Sequence, residues 1–204
     1  MNYKVLRRIE GLILKVESAC LLVPCIASLI YGEVQGLAYL GTAVFSYIIG
    51  ALLMRNSEGD QKYFIKEGFA VVGLSWVTMS VFGALPLAIC GDIPSYVNAL
   101  FETVSGFTTT GASILKDVEA LSHTSLLWRS FTHWVGGMGV FVLILAVFPM
   151  SGGHNMNLMK AESPGPSVGK LVPRLRDTAI ILYGIYLALT VMEFIFLLIA
   201  GCPM

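Results

Sequence analysis

Phe101-Glu102-Thr103-Val104-Ser105-Gly106-Phe107-Thr108-Thr109-Thr110-Gly111-Ala112-Ser113 sets a hydroxyl-rich segment, ending near a glycine, between two long apolar stretches. An ordinary extramembrane turn gains nothing from such a run. A partly dehydrated cation, by contrast, needs several oxygen dipoles aimed at one point. Backbone carbonyls supply them only where the chain leaves the helix and a glycine permits positive φ. The segment therefore reads as a quarter of an ion filter, whose chemistry is ion coordination with no covalent step.

The surroundings fit a membrane. The chain has 204 residues, 56% of them hydrophobic and 13% charged, with a mean hydropathy of +0.77. Those values lie outside the range of a soluble domain. The stretches 12–31, 37–54, 69–90, 126–148 and 179–200 each approach or exceed the roughly 20 residues that a bilayer-crossing helix needs. A sixth, 96–107, covers only about 18 Å against a hydrocarbon core of about 30 Å, so it must enter and return on one side. The expected fold is an all-α polytopic membrane protein with five transmembrane helices plus one re-entrant pore helix and its filter loop.

Sidedness follows from the thirteen Lys and Arg residues, because retained basic loops mark the cytoplasmic face. Lys4, Arg7, Arg8 and Lys15 precede or open the first span. Arg55, Lys62 and Lys66 lie between the second and third, and Lys160, Lys170, Arg174 and Arg176 between the fourth and fifth. Only Lys116 and Arg129 fall on the other side. The N-terminus is therefore expected inside, the turn at 32–36 outside, and the re-entrant segment entering from outside. The basic start does not make the first helix a cleaved signal peptide: the apolar run continues through Ile30 without an Ala-x-Ala site.

Between Cys90 and Thr124 the chain has the grammar of a pore loop. Gly91-Asp92-Ile93-Pro94 stops a helix and Ser95 suits an N-cap. A helix over 96–107 aims its partly negative C-terminal end at Thr108 to Gly111, where low dielectric makes the dipole count. For Glu102, bracing of loose backbone amides is favoured over direct ion contact, since a bare carboxylate in the path would hold a cation too tightly. Ser105 and the threonines could equally cap a buried helix end. Arg129, His133, Gly136, Gly137 and Val140 share one face of the next helix. Arg129 is expected as an interfacial anchor or a partner of Glu102 or Asp117, and His133 as a hydrogen-bond partner of the back of the pore loop. The glycines are expected to let helices approach closely. Glu193 should avoid lipid. Cys20, Cys25, Cys90 and Cys202 show no metal-ligand spacing; buried thiols are the favoured reading, with a Cys90–Cys202 disulfide the alternative. An intramembrane hydrolase using Ser105 and His133 lacks a Gly-x-Ser-x-Gly elbow and a third partner.

Phe101 to Ala112, together with Trp128-Arg129-Ser130-Phe131-Thr132-His133-Trp134-Val135-Gly136-Gly137-Met138-Gly139, resembles the first pore loop and following helix of the Trk/Ktr potassium-transporter membrane subunits. Glu67-Gly68-Phe69 with Gly83-Ala84-Leu85-Pro86 resembles the helix before that filter. Ala161-Glu162-Ser163-Pro164-Gly165-Pro166 with Lys170-Leu171-Val172-Pro173-Arg174 resembles the next cytoplasmic loop. The resemblance implies four helix–pore loop–helix repeats with pseudo-fourfold symmetry around one conduction path. This chain would supply an N-terminal helix pair (1–55), one complete repeat (56–150), a cytoplasmic loop (151–177) and the first helix of a second repeat (178–204).

Within that resemblance Thr108, Thr109, Thr110 and Gly111 are the potassium-binding filter, supported by Glu102, Ser105, Arg129 and His133. It implies potassium uptake across the plasma membrane with potassium as substrate, no cofactor and no enzymatic activity. It also implies a cytoplasmic nucleotide-binding regulatory subunit as partner, a homodimer in full-length form, and no role for nucleic acid. With a single Gly and no Thr-Val-Gly-Tyr-Gly string, discrimination against sodium is expected to be weaker than in a tetrameric potassium channel. Because three filter segments are not in the sequence, the expectation is a fragment or truncated product, and the alternative for the isolated chain is a non-conducting membrane scaffold.

Overall fold

The computed structural model describes residues 3–55, 65–139 and 175–201, and every regular element among them is helical. The helices are α1 (Tyr3–Cys20), α2 (Leu22–Tyr31), α3 (Gly36–Arg55), α4 (Ile65–Ile89), α5 (Tyr96–Phe107), α6 (His123–Met138) and α7 (Leu175–Ile199). Among the described residues, four stretches are long and apolar enough to cross a membrane: Leu6–Tyr31, Gly36–Arg55, Phe69–Ile89 and Ala179–Ile199. The chain divides into two compact units, Met1–Gly137 and Met138–Met204.

The first predicted span is helical from Tyr3 but interrupted at Leu21. Pro24 explains the interruption, since it brings no N–H for the carbonyl four residues earlier and its ring crowds that turn. The predicted span 126–148 is observed as helix only to Met138. There Gly139 adopts φ 76, a left-handed conformation that ends helices, and the remainder of that span lies outside the described residues.

Small residues set how α1, α2 and α3 pack. Ser18 Oγ donates to the Ala43 carbonyl at 2.8 Å and Cys25 Sγ to the Gly36 carbonyl at 3.6 Å. One heptad away, Gly11 and Gly50 face each other so closely that a Cβ on either would lie 2.7 Å from the other's carbonyl oxygen. These contacts define one antiparallel register along the whole pair, with backbones close enough for dispersion to act over their length. α4 packs parallel to α1, where Ser75 Oγ donates to Glu10 Oε1 at 3.1 Å.

One end of the first unit gathers the turns. Tyr31 stacks on His123 with ring centroids 4.1 Å apart, and Ser122 Oγ donates to Asp92 Oδ2. Asp92 precedes α5 and Ser122 follows the loop after it, so the segment that carries the hydroxyl-rich run leaves and returns at the same end. Gly91, with φ 86, terminates α4 there. Ser95 flanks α5 in extended conformation but makes no side-chain capping bond, contrary to expectation; its carbonyl instead accepts the Ala99 N–H at 2.9 Å. In the second unit α7 is a 25-residue apolar helix, on which Glu193 is exposed.

Candidate functional site

α5 turns the polar residues of its C-terminal half inward, while Tyr96 and Asn98 near its start are exposed. Glu102, Thr103, Ser105, Gly106 and Phe107 are buried, while Thr108 to Ile114 form an exposed loop. The tip of α5 is tightened by short-range bonds: the Thr109 N–H donates to the Gly106 carbonyl at 2.9 Å and the Thr110 N–H to the Ser105 carbonyl at 3.0 Å. Thr108 Oγ1 donates to the Val104 carbonyl at 2.7 Å and lies 2.8 Å from Thr110 Oγ1.

Two loop residues then take left-handed backbone, Gly111 at φ 74 and Thr109 at φ 54. For glycine this conformation costs nothing steric. For threonine, branched at Cβ, it stores strain of about 1–3 kcal/mol that surrounding structure must hold. Here that structure is the Gly106 carbonyl bond on one side and Thr109 Oγ1 bonded to the Thr108 carbonyl at 2.7 Å on the other. Among the described residues, no donor reaches the carbonyl oxygens of Thr109, Thr110 or Gly111. Three exposed acceptors thus follow one another without a protein partner.

Behind the loop, Glu102 joins three segments. Its Oε1 accepts from Ser113 Oγ at 2.6 Å and from the Ile114 N–H at 2.7 Å, and its Oε2 from Arg129 Nε at 3.0 Å. The carboxylate is 1% exposed and the Arg129 side chain 17%, so the pair is charge-assisted and shielded from water. All of this carboxylate's bonds go to the scaffold. Ser105 Oγ donates to the Ala112 carbonyl at 2.6 Å, closing the loop from the other side.

α6 lies directly against the tip of α5. A Cβ at Gly136 would fall 2.1 Å from the Phe107 carbonyl oxygen, so only glycine allows this approach. Trp128 is buried, donates from Nε1 to the Gly83 carbonyl at 2.9 Å, and meets Phe107 and Tyr39 edge-on. It ties α6 to α4 while the Tyr39 hydroxyl donates to Ser125 Oγ at 2.9 Å.

The structure therefore brings Glu102, Arg129 and Ser105 together around the Thr108–Gly111 loop. His133 is placed differently from the expectation: its Nδ1 lies 2.9 Å from the Arg129 carbonyl one turn earlier in α6. The ring still lies against the back of the pore helix, since a Cβ at Gly106 would meet Thr132 Oγ1 at 2.1 Å and His133 Nδ1 at 3.5 Å. Ser105 and His133 each bond elsewhere, so the hydrolase pair is not assembled. Of the two partners considered for Arg129, Glu102 is the one it meets, while Asp117 accepts the Glu119 N–H at 3.0 Å. Cys90 Sγ sits 3.7 Å from Ser125 Oγ; Cys202 lies outside the described residues.

Sequence reasoning missed three features. Thr109 gave no signal, because threonine is a poor choice for positive φ. Ser113 and Ile114 as partners of Glu102 require knowing the loop path. Glu33 was legible in principle, as an acid able to cap a helix N-terminus. Its carboxylate accepts the N–H groups of His123 and Thr124, each at 2.9 Å, with Thr124 Oγ1 at 2.6 Å and His123 Nδ1 at 2.9 Å. Partial burial opposes its charge, but the bonds from Thr124 and His123 together outweigh that and hold the carboxyl at about 2, below the ordinary 4.5.

Comparison with known proteins places these features in a family. Residues 37–203 match the family model described as TrkH, cation transport protein. The chain is 37% identical over 209 residues to the Trk system potassium uptake protein TrkH of Salmonella typhimurium, covering 100% of this chain and 43% of that protein. It is 38% identical over 197 residues to the protein of the same name from Escherichia coli K12, covering 94% and 40%. The crystal structure of the potassium transporter TrkH from Vibrio parahaemolyticus superposes with a TM-score of 0.72 at 32% identity, over 94% of this chain and 38% of that one. The chain spans about two fifths of the length of the relatives it matches.

Proposed function

The chain belongs to the TrkH family of cation transport proteins, and on that premise we propose that it forms the first filter-bearing part of a potassium-uptake protein of the plasma membrane. The observation that carries this reading is the run of partnerless carbonyls at Thr109, Thr110 and Gly111, held beyond the C-terminal end of a buried helix by two left-handed residues. Such a set suits a cation that has shed part of its water, and potassium is the ion named for its relatives.

In this reading Thr108, Thr109, Thr110 and Gly111 coordinate potassium in company with equivalent segments. Glu102, Ser105 and Arg129 hold the loop, and His133 braces α6 behind it. The basic residues of 1–15, 55–66 and 160–176 lie on the cytoplasmic side. A nucleotide-binding regulatory subunit docks on the cytoplasmic face, and the full-length protein is a homodimer. Potassium is the transported substrate, and no cofactor or covalent chemistry takes part.

The test is complementation. Joined to the remaining repeats of a relative, the chain should restore growth of a potassium-uptake-deficient bacterium at low potassium. The 204 residues alone should insert without restoring it, since one loop cannot surround an ion. Rescue by the 204 residues alone would show a pore assembled from copies of this chain. Failure of the joined protein despite normal insertion would remove the transport reading.

A further inference from the structure

α1 carries a carboxyl that the transport reading does not use. Glu17 is 0% exposed, and among the described residues neither Oε1 nor Oε2 has a hydrogen-bond partner. Its position in the span Leu6–Tyr31 puts it about 17 Å along the helix from one limit and about 21 Å from the other. It thus sits at mid-membrane depth, where ionisable groups are rare and usually face function.

The carboxyl is directed at the site. The point where a Cβ of Gly83 would stand is 3.1 Å from Glu17 Oε1, 3.0 Å from Thr103 Cγ2 and 3.2 Å from Phe107 Cε2. Thr103 and Phe107 belong to the pore helix, Phe107 immediately precedes Thr108, and the Gly83 carbonyl receives the Trp128 indole. Glu17 therefore packs against the wall on which the filter loop stands.

Among the described residues no donor reaches an ionised Glu17: on α5 Tyr96 donates to the Val81 carbonyl and Glu102 is paired with Arg129 of α6, whose His133 lies on the Arg129 carbonyl. On α1 itself the flanking titratable groups are Glu10, whose Oε1 accepts from Ser75, Lys15, whose ammonium lies over the Tyr47 ring, and Cys20. α2 presents Cys25, bonded to carbonyls of Leu21 and Gly36, and Tyr31, stacked on His123. α3 presents Tyr39, bonded to Ser125, Tyr47 beneath the Lys15 ammonium, and Arg55 at its end. α4 has no titratable residue between Phe69 and Ile89. A bare carboxylate here would be buried without a donor, far costlier than the neutral acid.

We propose that Glu17 is a proton-binding site in the membrane interior: its carboxyl carries a proton in the packed arrangement, and release of that proton to water loosens α1 from Gly83 and the end of the pore helix. Only the consequence for transport rests on the reading above; the proton site itself does not.

Infrared difference spectroscopy of the chain in lipid bilayers tests the site without requiring ion conduction. A protonated-carboxyl C=O band is expected at neutral pH and reduced in Glu17→Gln. Glu102→Gln should leave it intact. A band unchanged by Glu17→Gln, or absent from the wild type, overturns the proposal. Coupling is read by labelling Ala112→Cys in a background lacking the native cysteines. With Glu17 present, the rate should rise several-fold beyond the thiol's own ionisation over the pH range in which the band disappears. Identical pH–rate profiles with Glu17 and with Glu17→Gln would overturn the coupling.

Discussion

Gly136→Ala isolates the contact on which the geometry of the candidate filter depends. The added Cβ would stand 2.1 Å from the Phe107 carbonyl oxygen, 2.8 Å from its carbonyl carbon and 3.0 Å from its Cα. All three are backbone atoms, which no rotamer change can move aside. To bring the nearest contact to even 3.0 Å, α6 must back away by about 0.9 Å, and overpacking of that kind costs about 1–3 kcal/mol. The shift also pulls Arg129 from Glu102, now at 3.0 Å, so the loop loses a brace while its own residues are unchanged. The assay is thermal unfolding of the chain in detergent, paired with potassium and sodium uptake by the chain joined to the remaining repeats of a relative. Gly136→Ala should be destabilised and should lose preference for potassium. Gly111→Ala serves as the contrast: nothing lies within 4 Å of its added Cβ, and its cost is the left-handed backbone alone, about 1–2 kcal/mol. A Gly136→Ala protein with wild-type unfolding and unaltered ion preference would refute the claim that α6 fixes the tip of α5.

Glu102→Ala leaves Arg129 without its counter-charge and strips the acceptor from Ser113 and Ile114. The expected loss is toward the lower end of about 3–5 kcal/mol, because Arg129 keeps some exposure. Unfolding measurements should show Arg129→Met recovering part of it, and a loss no larger than that of a surface change would rule out bracing. Glu33 has its folded value depressed from 4.5 to about 2, so its contribution is full above 4.5 and is lost as pH falls through about 2. Acid titration of unfolding should show this window, and Glu33→Gln should abolish it; the same acid dependence in the variant would exclude Glu33 as its source. Substituted cysteines should label from outside at Ser122 and from inside at Gln61 and Ser167, and labelling of Ser122 and Ser167 from one side would break the topology.

What the sequence made legible is what periodicity and punctuation encode. The short helix was expected over 96–107 and is found as Tyr96–Phe107, because its ends are marked by Gly91–Pro94 and by the threonine run. Gly111 was expected at positive φ for a reason of chain geometry and has it. Glu102 as a scaffold acid followed from the cost of a bare carboxylate near an ion path. Contacts remote in sequence were not legible. Glu33 and Thr124 are separated by 91 positions, and nothing local in α6 announces that Gly136 meets Phe107. The sequence placed His133 behind the pore loop but not its hydrogen bond, which goes to the carbonyl one turn back while the ring lies near Gly106. Glu17 escaped notice because a single acid in an apolar run carries no periodic signal of what it faces.

The central claim, that the loop ending at Gly111 coordinates potassium through its backbone, is tested most directly by ion uptake through Gly111 variants of the chain joined to the remaining repeats of a relative. Gly111→Val should insert normally and lose potassium uptake, since φ 74 is strained for a β-branched residue. Gly111→Ser should retain transport with diminished preference for potassium over sodium. Potassium uptake by Gly111→Val at wild-type rate and affinity would contradict the account and leave residues 108–111 as the cap of a buried helix.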